Sequence, residues 1–390
     1  MTTLQLIACA LILAFILPKC ASGQQEQTGK KGEKTYYYGV EINDVLCGYA
    51  KVTSVPEEKE GKTIDKLEGI VSLKLSVLGG GMDVTISYLY LSDPATEQFF
   101  SNATTIQTGD TRMEFASGLN VQTMFSNRKI FLSDPSVVKR ITTVNMDDIL
   151  FARVNTKISN IHDIAYMKVK GKIESAGEEV TSESLNHLGQ TFTGTVTDNL
   201  IEGVFELTAE KYDGTNAPPF PPDFTNDAEL EKYLKPENLI ESDELVLIGK
   251  AKEITAGSED SWEAAKRLSK WVAENIEGAV PGGTSAINTY KTRQGECGSH
   301  SRLLAAFCRA VGIPSRLSVG CMYSSLYGGS FGQHAWTEVY MGEAGWIPVD
   351  AAIQEFDYVD SGHIRLGEST SFHPKEIEIL EYETNKSTQK

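Results

Sequence analysis

The sequence predicts an α+β protein in which an antiparallel β-rich domain precedes a domain of mixed helices and strands. Hydrophobic and polar residues alternate with a period of two over much of residues 35–212. Four prolines then fall within residues 213–227. After them, hydrophobic residues recur at the three- and four-residue steps that are typical of helices. The 390 residues, 41% of them hydrophobic, suffice for two or three domains with buried cores.

The first 23 residues differ from the rest of the chain. Residues 4–17 are almost entirely apolar, but this run is shorter than the about 20 residues that a membrane-spanning helix needs. It is typical of a secretory signal peptide over residues 1–23, with the small residues Ala21 and Gly23 before the cleavage point. The positive charge that usually precedes such a run is missing.

Export to the periplasm or the extracellular space is therefore expected. Lipid attachment at Cys20 is the less favoured alternative, because Lys19 directly precedes it. No other stretch is long and apolar enough to span a bilayer, so the mature chain is expected to have no transmembrane segment.

The predicted mature chain is strongly acidic. Removal of residues 1–23 takes away one of 36 basic residues and none of 53 acidic ones, which gives 35 − 53 = −18. A surface of this charge repels phosphate backbones, so nucleic acid is not expected as a partner.

Residues 24–34 are polar and are predicted to form a flexible leader before the β-rich domain at 35–212. A hairpin is predicted around the glycines at 79–81, between two alternating runs: Val71, Leu73, Leu75 and Val77, and then Val84, Ile86, Tyr88 and Tyr90. Further strands are predicted at Ile149–Ile158, Ala165–Ile173, Thr191–Thr197 and Leu200–Ala209. Together they indicate a sandwich or an open barrel.

Residues 213–240 are predicted to be a stiff proline-rich linker or a crossing segment, because clustered prolines do not fit regular structure. A helix is predicted to follow, with Asp260 and Glu263 as a capping pair. A second helix is predicted over Ser285–Thr292, and a third begins at Cys297.

Cys297 is the first candidate for chemistry. Gly295 permits a sharp turn before it, and the hydrophobic residues after it predict a buried helix that starts there. Unpaired N–H groups and the helix dipole favour a thiolate at that end, and the thiolate is the nucleophilic form. The alternative is a small buried core residue, which the flanking sequence Gly-Glu-Cys-Gly-Ser fits less well.

His334 and Asp350 lie on two predicted strands that the segment Gly342-Glu-Ala-Gly345 joins into a hairpin. The two side chains share a face only if the numbers of two residues that lie opposite each other across the hairpin sum to an even value. An odd loop or a bulge at Gly345 would satisfy this condition. His334 would then take the proton of Cys297 or form an ion pair with it, and Asp350 would orient the imidazole.

These segments resemble the transglutaminase-like (transglutaminase core) family. The matching segments are Gly-Glu-Cys before a helix, Arg-Ala-Val-Gly-Ile-Pro-Ser-Arg after it, His-Ala-Trp-Thr-Glu-Val-Tyr and Trp-Ile-Pro-Val-Asp. The resemblance covers about residues 241–368, including His363-Ile364-Arg365-Leu366, within a predicted domain at 241–390. It implies a papain-like fold with Cys297 as nucleophile, His334 as base and Asp350 as orienting acid.

The family resemblance also implies acyl transfer through a thioester on Cys297. The substrate would be a glutamine side chain or a peptide amide in a protein or peptide, and the acceptor, an amine or water, stays open. For the oxyanion hole, the Cys297 N–H is one donor, and Gln294, Tyr290 and Trp262 are unranked side-chain candidates. His300 is expected to pack in the core.

No cofactor or metal is predicted. The sequence has no C-x-x-C pair and no EF-hand loop. Cys308 and Cys321 are interpreted as buried structural thiols, although a disulfide between them stays open in an oxidising compartment.

Two rival hypotheses remain. One is a catalytically silent binding or scaffold protein of the cell envelope that keeps the fold, and a buried or unreactive Cys297 would favour it. The other is a dedicated cysteine peptidase with the same triad.

Overall fold

The computed structural model describes ten stretches of the chain: residues 33–59, 62–77, 80–92, 99–108, 111–116, 128–176, 179–224, 227–279, 285–368 and 371–385. The predicted signal peptide, Cys20 and nearly all of the predicted leader lie outside them. No helix in these stretches has the length and apolar character that crossing a membrane requires. The described residues form two compact units, 33–147 and 148–385.

The first unit is built on one large sheet. Its strands are β1 (Lys34–Ile42), β2 (Val45–Lys59), β3 (Lys62–Val77), β4 (Gly80–Ser92), β5 (Phe99–Thr108), β6 (Thr111–Ala116), β7 (Arg128–Ser133) and β8 (Val144–Asn145). They are ordered β6-β5-β4-β3-β2-β1-β7 with antiparallel neighbours, and β8 pairs in parallel with β3.

The predicted hairpin of this unit is confirmed. Strands β3 and β4 pair in antiparallel register, with Val71 opposite Ile86 and Leu73 opposite Val84. These four side chains are buried, because alternate residues of a strand point to the same face. The connecting residues 78 and 79 lie outside the described stretches.

A short helix, α1 (Asp147–Leu150), precedes the strands β9 (Phe151–Arg153), β10 (Ile164–Ala176), β11 (Gln190–Thr197) and β12 (Leu200–Thr208). The elements that follow are α2 (Leu245–Ile254), α3 (Ser261–Asn275), β13 (Glu277–Gly278), α4 (Ala286–Thr292), β14 (Gln294–Gly295) and α5 (Cys297–Ala310). The chain continues with β15 (Ser315–Ser324), β16 (Ser330–Tyr340), β17 (Trp346–Val349), β18 (His363–Gly367) and β19 (Ser371–Thr384).

The described residues of the second unit form two larger sheets, a two-stranded parallel sheet of β13 and β14, and a helical layer, as expected for an α+β fold. One sheet has the order β17-β16-β15-β18 with β9 beside β16, and the other has the order β11-β12-β10-β19. One hydrophobic core contains residues of both sheets, such as Val169 on β10 and Cys321 on β15. A second core lies between helices α2–α5 and the strands β16 and β17.

The predicted helix starts agree with the structure. Asp260 caps α3, because its carboxylate accepts a hydrogen bond from the Glu263 N–H at 2.8 Å. Ser285 caps α4 in the same way, through the Asn288 N–H. Helix α5 begins at Cys297, as its hydrophobic pattern predicts.

The predicted strand over Ile149–Ile158 is mostly wrong. Only Phe151–Arg153 forms a strand, which pairs with β16. Beyond it, the Ile158 N–H donates to the hydroxyl of Tyr323 at 2.6 Å instead of joining a ladder. The Ile158 side chain is thus buried because its segment is held against Tyr323, and not because it alternates within a strand.

The predicted boundary at residue 212 also differs from the structure. Strands β10, β11 and β12 belong to the second unit, because β19 pairs with β10 along most of its length. The described parts of the predicted linker, residues 213–224 and 227–240, form a crossing segment. Its Phe220 packs against the helical core, and the Ser261 N–H donates to the carbonyl of Pro218.

Candidate active site

The β16–β17 hairpin meets the condition that the sequence sets. Its pairs run from Thr337 opposite Val349 to Tyr340 opposite Trp346, so paired numbers sum to an even value. The loop, residues 341–345, is closed by a hydrogen bond from the Met341 N–H to the Gly345 carbonyl. His334 and Asp350 therefore lie on the same face.

The two side chains meet directly. The Nε2 atom of His334 lies 2.5 Å from Oδ2 of Asp350, and both residues are almost fully buried. The other carboxylate oxygen accepts a hydrogen bond from the Ala352 N–H at 2.8 Å. Burial would raise the pKa of Asp350, but His334 and the neighbouring His363 hold it far below its usual value.

Cys297 is the first residue of α5, as expected from its sequence. Gly295 is required before it, because a Cβ atom there would lie 2.4 Å from the Cβ of Ser299. The Ser301 hydroxyl bonds the carbonyls of both Cys297 and Ala335, which joins the start of α5 to β16. The thiol is thereby fixed beside the strand that carries His334.

Cys297 raises the pKa of the His334 imidazole. The Nδ1 atom of His334 is the ring nitrogen that Asp350 does not bind, and it is buried. The Cys297 thiol affects His334 through its charge and a side-chain hydrogen bond. Burial lowers the pKa of His334, but Asp350 and Cys297 outweigh burial and raise it to about 9. This environment favours an imidazolium at neutral pH, which is the partner that a thiolate needs.

A second histidine, which the sequence does not single out, shares the same carboxylate. Nε2 of His363 lies 3.4 Å from Oδ2 of Asp350, and its Nδ1 lies 3.1 Å from the Asp360 carbonyl. Its ring lies edge-on to His334, with 5.6 Å between centroids, and close to Trp336. The only sequence signal was its place at the start of the His-Ile-Arg-Leu segment within the family resemblance.

Glu355 is hydrogen-bonded to Asp350 through the backbone. The two residues exchange backbone hydrogen bonds of 2.7 and 2.8 Å, and the Glu355 carboxylate binds His162 and the Asp360 N–H. Burial and the charge of Asp360 raise the pKa of Glu355 to about 7. The site therefore contains three buried carboxyl groups close together.

Two of the oxyanion candidates do not reach Cys297. The ring of Tyr290 packs against Phe307, ten residues or about 15 Å along α5 from Cys297. The Ile276 carbonyl, at the C-terminal end of α3, is bonded to His300 near the start of α5, and Trp262 lies at the opposite end of α3. Its indole is buried against Tyr212 instead.

Gln294 remains as the side-chain candidate. It lies on the short strand β14, three residues before Cys297, and it is exposed. The Cys297 N–H stays a backbone candidate at the first position of α5.

The other predicted residues of this region are structural. The nitrogens of His300 bind the carbonyls of Glu296 and Ile276, at 2.9 and 3.2 Å. Cys308 and Cys321 are both free and buried, as predicted, and burial raises the pKa of Cys308 to about 12. Neither thiol has the environment of a nucleophile.

Among the residues that the structure describes, two groups contain the residue types that bind metal ions: His334 with Asp350 and His363, and His162 with Glu355 and Asp360. In each group a histidine nitrogen already binds a carboxylate oxygen directly, at 2.5 and 2.8 Å. These are hydrogen-bond distances that leave no space for an ion between the two atoms.

A cavity of about 220 Å³ lies beside the site, and Trp336 and His363 form part of its wall. Glu338 also lines it and is held between Arg365 and Arg316, at 2.9 and 2.6 Å. Burial would raise the pKa of Glu338, but the two guanidinium groups hold it below its usual value.

Comparison with known proteins supports the family resemblance. The sequence model of the transglutaminase-like superfamily matches residues 248–351, a range that contains Cys297, His334 and Asp350. A protein of Haemophilus influenzae that carries no functional name is 27% identical to this chain. That match covers 41% of this chain and 48% of the relative, so the chain spans about half the length of that relative.

Two solved structures are similar over much of their length. A proposed cysteine protease from Cytophaga hutchinsonii is 17% identical, with a TM-score of 0.39, over 60% of this chain and 95% of that one. The periplasmic domain of TgpA from Pseudomonas aeruginosa is 14% identical, with a TM-score of 0.28, over 50% of this chain and 88% of that one.

Proposed function

We propose that this chain, whose residues 248–351 form a transglutaminase-like core domain, is a cysteine-dependent enzyme. It would perform acyl transfer or hydrolysis at a glutamine side chain or a peptide amide. The observation that carries this proposal is the arrangement of three residues. Asp350 binds the Nε2 atom of His334 at 2.5 Å, and the Cys297 thiol raises the pKa of the same imidazole through its charge and a hydrogen bond.

The first half of the reaction forms a thioester. The Cys297 thiolate attacks the amide carbon, and the resulting oxyanion accepts hydrogen bonds from the Cys297 N–H and from Gln294 as the candidate side chain. The imidazolium of His334 gives its proton to the leaving nitrogen, and the C–N bond breaks. Ammonia leaves from a glutamine, or an amine leaves from a peptide bond.

The second half consumes the thioester. A primary amine or water attacks the acyl carbon while neutral His334 takes its proton. The C–S bond then breaks, and the thiolate–imidazolium pair is restored. An amine produces a cross-linked or amine-labelled product, and water produces a deamidated or cleaved one.

The substrate we propose is a protein or peptide. The cavity beside Trp336 is one place for a side chain of this substrate, since it lies next to His363 and contains an aromatic wall. The signal-peptide pattern supports action outside the cytoplasm, in the periplasm or the extracellular space.

One observation favours the rival, a silent binding or scaffold protein. Cys297 is only 4% exposed, which restricts access to its sulfur. A rigid site of this kind would bind no amide at the thiol. Alkylation by iodoacetamide at neutral pH, followed by peptide mapping, separates the two hypotheses, because an accessible thiolate reacts and an inaccessible thiol does not.

The decisive experiment incubates casein or a peptide library with a tagged primary amine and the full chain. Mass spectrometry then compares the wild type with Cys297→Ala, and with Cys308→Ala as a matched control that removes a buried thiol distant from the site. Tagged glutamines, cleaved peptides or one-dalton shifts should appear with the wild type and the control but not with Cys297→Ala. Identical digests from all three proteins would remove the enzymatic proposal.

A further inference from the structure

His363 occupies a position that a neutral imidazole cannot fill well. It is the first residue of β18, it pairs with Met322 on β15, and its side chain is 1% exposed. The charged and titratable groups around it are Asp360 and Glu355 in the segment before β18, Asp350 after β17 and His334 on β16. Three of these four groups are carboxyl groups.

Both ring nitrogens of His363 face oxygen atoms. Nδ1 lies 3.1 Å from the Asp360 carbonyl and 3.6 Å from the Asp360 carboxylate, and Nε2 lies 3.4 Å from the Asp350 carboxylate. A neutral imidazole donates from only one nitrogen, so its other lone pair would point at an oxygen. An imidazolium donates from both. Unlike His300, whose two partners are backbone carbonyls, His363 also has a carboxylate at each nitrogen.

We infer that His363 is a buried imidazolium that holds the Asp350 carboxylate and limits how tightly this carboxylate retains the proton of His334. The inference rests on the proposed roles of Cys297, His334 and Asp350. His363 acts through Asp350 and is therefore a positioning residue.

The electrostatic environment of His363 agrees with this assignment. Burial lowers its pKa, but the charge of Asp360 and the hydrogen bonds to Asp350 and Asp360 raise it well above its usual value. His334 and His363 share one oxygen of Asp350, so two imidazolium rings 5.6 Å apart repel each other around it. The charge on His363 therefore opposes the effect by which Asp350 raises the pKa of His334.

The consequence concerns the pH range in which the thiolate–imidazolium pair persists. Loss of the His334 proton ends this range at its alkaline side. Without the positive charge of His363, Asp350 would hold the His334 proton more tightly. The alkaline limit would then move to higher pH, by about one unit for a charge at this distance.

The first test uses the wild-type chain labelled with ¹⁵N-histidine. Long-range ¹H–¹⁵N spectra at neutral pH should show both nitrogens of His363 protonated, with assignment by comparison with His363→Gln. A spectrum in which only one nitrogen carries a proton would overturn the inference, and this test needs no catalytic activity.

The second test follows alkylation of Cys297 by iodoacetate from low to high pH, read by peptide mapping. The anionic reagent is favoured by a cationic His334, so its rate falls when His334 loses its proton. His363→Gln keeps a hydrogen-bond donor but carries no charge. The alkaline limb of its pH–rate profile, where the alkylation rate falls, should lie about one pH unit above that of the wild type. The control is His373→Gln, which removes a histidine whose charged neighbours are Lys375 and Glu174.

An alkaline limb at the same pH in the wild type and in His363→Gln, both folded by circular dichroism, would overturn the inference. If wild-type Cys297 instead reacts like an ordinary thiol over the whole range, the proposed function fails. The protonation of His363 is then decided by the nitrogen spectrum alone.

Discussion

The Asp350 carboxylate lies 2.5 Å from the His334 imidazole because their strands pair in a register that places both residues on one face. The loop at residues 341–345 permits this register, and it depends on Gly345. Its φ of 73° and ψ of −145° lie in a region that residues with a Cβ rarely adopt.

We expect Gly345→Ala to destabilise the chain by about 1–3 kcal/mol. A Cβ atom at residue 345 meets no other atom within 4 Å, so the cost is backbone strain alone. Gly249→Ala is the matched control, because it also adds a Cβ in open space but lies inside helix α2. The control should raise the free energy of unfolding by about 0.5–1 kcal/mol, and urea unfolding curves measure both changes. Equal effects of the two changes would contradict the role of Gly345.

Asp350→Asn should lower the rate of the proposed reaction by about 100-fold or more, since an amide neither stabilises the imidazolium nor fixes its tautomer. Removal of the charge also lowers the pKa of His334 from about 9. The alkaline limb of Cys297 alkylation should therefore move to lower pH, opposite to the shift expected for His363→Gln. A limb that stays in place would show that Asp350 does not control the proton of His334.

Stability should depend on pH through His334. Its pKa is about 9 in the folded chain and about 6.5 when unfolded, so its contribution is complete below pH 6.5 and is lost as the pH rises through 9. The expected loss is about 3 kcal/mol, at 1.4 kcal/mol per pH unit. Urea unfolding of the wild type should show this decline between pH 6.5 and 9. In His334→Gln the decline should be smaller by about this amount, and the part that His363 contributes should remain.

The control for this pH dependence is His373→Gln. Burial lowers the pKa of His373 to about 4, so its own contribution is present above pH 6.5 and is lost on acidification. The decline between pH 6.5 and 9 should remain in this variant. Disappearance of the decline in His373→Gln would mean that a group other than His334 produces it.

The buried ion pairs beside the site should also matter for stability. Glu338→Gln removes the carboxylate that lies between Arg316 and Arg365 and leaves two poorly neutralised guanidinium groups. We expect a loss of about 3–5 kcal/mol in the free energy of unfolding. Glu206→Gln breaks an exposed pair with Lys168, which solvent screens, and should lower the free energy of unfolding far less. Comparable losses in the two variants would contradict the burial argument.

The sequence predicts best what depends on neighbouring residues. The start of α5 at Cys297 follows from Gly295 and from the helical pattern after it, and the α3 cap follows from Asp260 and Glu263. That His334 and Asp350 share a face could be predicted as a condition on the register of one hairpin, because the two strands are adjacent in the sequence.

Features that depend on distant pairing were not predictable in this way. His363 reaches Asp350 because β18 pairs with β15, and neither strand indicates its partner in the sequence. Tyr290 and Trp262 were reasonable donors by residue type, yet the packing of α4 and α3 directs their rings elsewhere. The strand predicted at Ile149–Ile158 failed because tertiary contacts bury its apolar residues.

The pairing of β10 with β19 has a consequence for how the second unit folds. Residues 177–370 separate the two strands, so their ladder closes a very long loop and forms only after most of the unit has been synthesised. Contacts of such high sequence separation slow folding and leave an unpaired strand edge exposed in the meantime. A fragment that begins at residue 241 would carry β19 without its partner. Recombinant expression of the transglutaminase-like region should therefore begin near residue 148, because a shorter chain would keep an unpaired strand edge that promotes aggregation.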